Sequence, residues 1–152
     1  MQLYDKVKLD NLYFLATGGG VTFGGGEPLL QVPFMHEFRK ICGGEWRLYV
    51  ETSLNVPWSL VQATTDIIDG YIVDIKDTDP DIYKRYTTRE NAQVLDNLQR
   101  LIEIVGTERV LVRVPLIPSF NTEEHRARSK ARLREMGVTR FDELTYKTEI
   151  NK

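Results

Sequence analysis

Gly18-Gly19-Gly20-Val21-Thr22-Phe23-Gly24-Gly25-Gly26-Glu27-Pro28 sets three strand-forming residues between two runs of glycine. β-Branched and aromatic side chains favour extended backbone, so Val21 to Phe23 predicts a short buried strand that ends at Gly24-Gly25-Gly26. Pro28, whose ring fixes φ at a helical value, suits the first turn of a helix. From Leu29 to Cys42 the apolar residues Leu30, Phe34, Phe38 and Ile41 recur at spacings of three and four, which predicts an amphipathic helix stopped by Gly43-Gly44. The stretch is therefore one β-α unit.

Upstream, Met1 to Ala16 is mixed and weakly helical. Downstream the alternation repeats. Arg47 to Thr52 predicts a strand and Trp58 to Thr64 a short helix after Pro57. Ile67 to Lys76 predicts a strand, and Glu90 to Val105 a helix through Val94, Leu98, Leu101 and Val105. Val110 to Pro118 is the most apolar strand, Thr122 to Met136 a helix closed by Gly137, and Phe141 to Tyr146 a last strand. Five near-continuously apolar strands separated by helices mean an α/β protein with a parallel sheet. The period leaves two architectures open, a doubly wound sheet and a barrel or part of one.

The 152 residues suffice for one domain, and 41% apolar with 28% charged residues excludes a disordered chain. Twenty Lys and Arg against 22 Asp and Glu give a net charge of -2, without the basic run that nucleic-acid binding usually requires. No apolar run reaches the roughly 20 residues of a membrane span, and the charged N-terminus is unlike a signal peptide, so a cytoplasmic setting is expected. The one cysteine, Cys42, cannot form an internal disulfide. It reads as a small buried apolar residue.

Ligands of parallel β-α folds lie at the C-terminal ends of the strands. There the sequence places Gly24-Gly25-Gly26-Glu27, then Glu51-Thr52-Ser53, then Asp74-Ile75-Lys76. Alternation puts Asp74 and Lys76 on one face, with Val73 and Ile75 on the other. Charges that end an apolar strand need mutual pairing or a wet, ligand-holding mouth. Arg113 interrupts its apolar strand likewise and calls for a polar interior or an anionic group. The glycine run lacks the spacing of a nucleotide-phosphate loop. His36 and His125 read as solvated surface histidines, and the basic helix Arg126 to Arg134 as a solvated face.

Taken together, Gly18 to Gln31 resembles the signature of the radical S-adenosylmethionine activating enzymes, of the pyruvate formate-lyase activating type, and the resemblance continues in order through Glu51-Thr52, Asp74-Ile75-Lys76 and Arg113 to Tyr146. It implies a partial (β/α)6 barrel with S-adenosylmethionine across its mouth against a 4Fe-4S cluster. Gly25, Gly26 and Glu27 match the motif for the methionine ammonium, and Lys76 matches the residue near the methionine carboxylate. Glu51 and Thr52 match an acidic-Thr pair, Asp74 and Lys76 an Asp-x-Lys motif, and Arg113 a strand arginine near the cofactor. A monovalent cation site is open to Glu51, Thr52 and Asp74. The implied reaction makes a 5'-deoxyadenosyl radical and installs a glycyl radical on a partner enzyme, in an anaerobic setting.

Three departures stand out. The family's Cys-x-x-x-Cys-x-x-Cys, ahead of the Gly-rich strand, has no counterpart, and thiolates are the normal ligands of such a cluster. Leu54 replaces a usual glycine, and Lys147 a frequent histidine. The resemblance thus implies an incomplete, TIM-like partial barrel of about five parallel strands with the first β-α unit missing. Residues 1–152 would form one domain, the C-terminal part of a longer enzyme, not catalytic alone. The alternatives are a non-catalytic S-adenosylmethionine-binding or protein-interaction module, and half of a split barrel completed by a cysteine-bearing chain. Self-association through an exposed strand edge is a further expectation.

Overall fold

Strand order decides between the two architectures. In the computed structural model, which describes residues 2–147, one parallel sheet contains β1 (Gly20–Phe23), β2 (Arg47–Thr52), β3 (Gly70–Asp74), β4 (Val110–Arg113) and β5 (Arg140–Asp142), neighbours in chain order. A doubly wound sheet reverses its order at a switch point, and none occurs here. Right-handed crossovers that all progress the same way put every helix on one face. Burial agrees with this arrangement. Leu48 and Val50 of β2, Tyr71 and Val73 of β3, and Val110 and Val112 of β4 belong to the apolar core, whereas Tyr49, Ile72 and Leu111 on the other face stay half-exposed and Thr22 exposed. The sheet is open, α/β and of partial-barrel type.

The helices are α1 (Gln2–Val7), α2 (Asn11–Thr17), α3 (Val32–Cys42), α4 (Trp58–Gln62), α5 (Pro80–Thr87), α6 (Ala92–Val105) and α7 (Glu123–Glu135). The segment before β1 is more helical than its composition suggests, with α1 and α2 joined by a 3-10 turn. The helix expected from Leu29 begins instead as a 3-10 turn over Pro28–Gln31, because Pro33 has no N–H to continue an α-helical ladder through it. That turn rotates the apolar face. Leu29, Val32, Met35 and Phe38 are buried, while Leu30, Phe34 and Ile41, expected in the core, are 60%, 37% and 41% exposed.

Several boundaries contract. β3 starts at Gly70 rather than Ile67, since Ile67 and Ile68 still close turns onto the Thr64 carbonyl. β4 ends at Arg113, before Pro115, and only an isolated bridge between Leu116 and Thr145 prolongs the contact. β5 ends correspondingly early, at Asp142. Helix α5 has no counterpart in the periodicity reading, although Asp79-Pro80 is a helix start: the Asp79 side chain accepts from the Asp81 and Ile82 amides.

Both histidines have structural work. His36 Nε2–H donates to the Ala63 carbonyl at 2.6 Å, tying α3 to the end of α4. His125 forms a capping box with Thr122 at the start of α7. The basic helix is also more engaged than a solvated face. Arg126 pairs with Glu123 and Glu143, Lys130 with Glu143, and Arg132 donates to the Thr78 carbonyl. Among the described residues no helix is long and apolar enough to cross a membrane.

Candidate functional site at the strand ends

Glu27 organises the first strand end. Its carboxylate accepts from the hydroxyls of Thr52 (2.7 Å) and Ser53 (2.8 Å) and from the amides of Ser53 (3.0 Å) and Leu29 (3.2 Å). All four acceptor positions are therefore taken, and the side chain fastens the β1 loop to the end of β2. What faces outward is backbone. Gly25 has φ +96°, and a Cβ on Gly25 or Gly26 would meet nothing within 4 Å, so these peptide groups border open space.

At the end of β2, Glu51 and Thr52 point to opposite faces. Thr52 is 2% exposed with its hydroxyl on Glu27, while Glu51 lies on the open face. Leu54 adopts φ +56°, a left-handed conformation that explains why glycine suits this position. Its side chain is fully buried, and Asn97 of α6 holds the carbonyls of Leu54 (2.9 Å) and Val56 (2.8 Å).

Alternation along β3 holds as expected: Val73 and Ile75 are fully buried, while Asp74 and Lys76 share the open side. Lys76 donates to Asp74 Oδ2 at 2.7 Å and to the Tyr146 hydroxyl, which donates to the same Asp74 oxygen at 2.9 Å. Asp74 Oδ1 is buried without a hydrogen-bond partner among the described residues. Burial first, then the negative Asp74 beside it, push the Tyr146 phenol well above its ordinary range. Arg113 spans the open face, donating to Glu51 Oε1 (2.7 Å) and Asp142 Oδ2 (3.0 Å). Burial opposes its charge, but Asp142 and Glu51 outweigh that and raise its pKa above the ordinary value.

Behind Lys76 a buried polar cluster fixes the exit from β3. Asp77, 1% exposed, accepts from the Asp79 amide (2.9 Å), Ser129 Oγ (3.1 Å) and Asn121 Nδ2 (3.2 Å). Asn91 donates to the Thr78 carbonyl at 3.0 Å. Sequence reading missed Asp77, Asn97, Asn121, Ser129 and Asp142. Asp142 directly opposes Arg113 in the parallel register, and its only mark in the sequence is a charge inside the expected last strand.

Gly25, Gly26, Glu27, Thr52, Asp74 and Lys76 thus line one cleft of about 290 Å³, together with Glu51 and Ser53. Arg113 stands beside it through its bond to Glu51. Open glycine backbone, a lysine and three carboxylates, one of them (Glu27) already saturated by protein donors, fit a zwitterionic small molecule such as the methionine end of S-adenosylmethionine. An iron-sulfur cluster does not fit this chain. Its one cysteine, Cys42, ends α3, which runs back from the mouth toward the start of β2, and its thiol is made less acidic by burial. Among the described residues no three His, Cys, Asp or Glu side chains are arranged to hold a metal ion.

Comparison with known proteins agrees with this arrangement. Residues 6–129 match the family model described as the Radical SAM superfamily. The chain is 39% identical over 121 residues to a (2S)-3-sulfopropanediol dehydratase activating enzyme of Klebsiella oxytoca, covering 78% of this chain and 37% of the relative. It is 36% identical over 110 residues to a 4-hydroxyphenylacetate decarboxylase activating enzyme of Clostridioides difficile, covering 71% and 34%. The chain thus spans less than half the length of these relatives. Among solved structures, a domain of a pyruvate-formate lyase-activating enzyme from Bacteroides vulgatus superposes with TM-score 0.59 at 22% identity, over 82% of this chain and 98% of that one. Streptococcus suis SuiB superposes with TM-score 0.69 at 11% identity, over 95% and 34%. At these identities the structures speak for the fold alone. With a family model spanning most of its length and an open parallel sheet of the matching type, the chain belongs to the radical SAM superfamily, whose cofactors are S-adenosylmethionine and a 4Fe-4S cluster, and its relatives there are glycyl radical enzyme activating enzymes.

Proposed function

We propose that this chain is the C-terminal part of a glycyl radical enzyme activating enzyme and that its strand-end cleft receives the methionine end of S-adenosylmethionine. The observation that carries this reading is the gathering of Gly25, Gly26, Lys76 and Asp74, from separate strand ends, around one cleft. In it the carbonyls of Gly25 and Gly26 take the ammonium, Lys76 takes the carboxylate, and Glu27 holds the glycine turn in place. Arg113 presents positive charge beside the cofactor, and a monovalent cation would draw on Glu51 and Asp74 but not on the Thr52 side chain, which points to the other face with its hydroxyl on Glu27. In such enzymes S-adenosylmethionine, on taking one electron from the reduced cluster, would give methionine and a 5'-deoxyadenosyl radical, which would take a hydrogen atom from a glycine of a pyruvate formate-lyase-like partner to leave 5'-deoxyadenosine and the glycyl radical. The single cysteine of these 152 residues cannot hold such a cluster, so they would be inert alone in that reaction. Residues 1–152 act as one partial-barrel domain, in the cytoplasm.

The test is calorimetric titration of S-adenosylmethionine into the chain and into Lys76→Ala. Losing one charge-assisted hydrogen bond weakens binding by about 10- to 100-fold. Absence of binding, or equal binding by Lys76→Ala, contradicts the assignment.

A further inference from the structure

The Lys76 ammonium has three N–H donors, and two of them are already placed. One goes to Asp74 Oδ2 and one to the Tyr146 oxygen, while the Tyr146 O–H closes the ring onto the same Asp74 oxygen. The donor count is consistent all round: the phenol gives one proton and accepts one, and the carboxylate oxygen accepts two. Among the described residues the third N–H of Lys76 has no protein partner, and the side chain borders the cleft that contains Gly25 and Gly26.

Tyr146 is itself held from two directions. Its amide donates to the Leu116 carbonyl at 2.9 Å, which registers the segment after β5 on the continuation of β4. Its ring lies 6.3 Å from Tyr86 of α5, which meets Phe120 edge-on at 4.9 Å. The Lys76 ammonium also sits 4.8 Å from the Tyr146 ring centroid, within cation–π range. An aromatic wall thus fixes the phenol, and the phenol with Asp74 fixes the lysine.

We propose that Tyr146 is a positioning residue of this site, which with Asp74 orients the Lys76 ammonium so that its remaining N–H is presented to an anionic group in the strand-end cleft. The ligand arm of this proposal rests on the reading of Lys76 as the carboxylate partner, and the orienting arm does not. Tyr146→Phe keeps the ring and its packing on Tyr86 and removes only the hydroxyl.

Two measurements test it. In protein labelled with ¹⁵N-lysine, the Lys76 ammonium resonance, assigned with Lys76→Arg, is expected to be protected from exchange with water in the wild-type chain. Exchange becomes at least about fivefold faster in Tyr146→Phe and in Asp74→Asn, with the remaining lysine and amide signals unchanged. A tyrosine that merely supports the fold would not move this signal selectively. Titration with S-adenosylmethionine is expected to give binding about fivefold weaker in Tyr146→Phe than in wild type. Unchanged Lys76 exchange in Tyr146→Phe overturns the proposal, as does altered exchange with undiminished binding. Altered exchange in a chain that binds no S-adenosylmethionine sinks the cofactor reading while the orienting role of Tyr146 stands.

Discussion

Replacing Leu54 by glycine separates two accounts of that residue. If Leu54 were only a strained substitute in a left-handed position, Leu54→Gly would stabilise the protein. The structure predicts the opposite. Leu54 is fully buried, and removing a buried leucine side chain costs about 2.7–5 kcal/mol. Glycine adds an entropic cost of about 0.5–1 kcal/mol through the unfolded chain. Relief at φ +56° returns about 1–2 kcal/mol. The net is a loss of about 3 kcal/mol, a large share of the 5–15 kcal/mol that holds a typical domain together. For a chain of this size that lowers the thermal midpoint by about 6–12 °C. Urea unfolding followed by circular dichroism reads it directly. A Leu54→Gly chain as stable as wild type, or more so, would refute the reasoning and show that strain outweighs burial.

Two further outcomes follow from the backbone and the charges. Thr88 ends α5 at φ +63°, where a β-branched residue is unfavourable, so Thr88→Gly should stabilise by about 1 kcal/mol in the same assay; a loss would show that Thr88 makes contacts that outweigh the strain. At the end of the sheet opposite the mouth, burial works against the Asp69 charge. The Leu48 amide (2.7 Å), Arg39 (2.5 Å) and Arg47 outweigh it and hold the carboxyl below its ordinary value of 3.8. A depressed folded pKa contributes stability that is present above the unfolded value and lost as pH falls through the folded one. Wild type should therefore lose more stability than Asp69→Asn between pH 5 and acid below 3.8; equal slopes would show that Asp69 contributes nothing there.

The alternation of strands and helices was legible because burial on a helix-covered face leaves a period that survives in the residues, as in Val94, Leu98 and Leu101. The register of α3 was not. Of the expected set, Leu30, Phe34, Phe38 and Ile41, only Phe38 is buried; Leu29, Val32 and Met35 are spaced as well with it, and the Pro33-induced 3-10 turn decides which residues face inward. The mouth was legible where charge interrupted an apolar strand, at Asp74 and Arg113. It was illegible where the partner comes from a helix or a loop far along the chain. Asn97 reaching the Leu54 carbonyl and Ser129 reaching Asp77 carry no local pattern. His36 misled for the same reason, since its acceptor, the Ala63 carbonyl, lies 27 residues away.

The most direct measurement of the central claim is residue-by-residue mapping of S-adenosylmethionine on the ¹⁵N-labelled chain by amide chemical shifts. The account predicts saturable shifts concentrated at Gly25, Gly26, Ser53 and Lys76, with Thr65 to Asp69 at the opposite end of the sheet unmoved. Shifts centred on that opposite end, or none at saturating ligand, would contradict it.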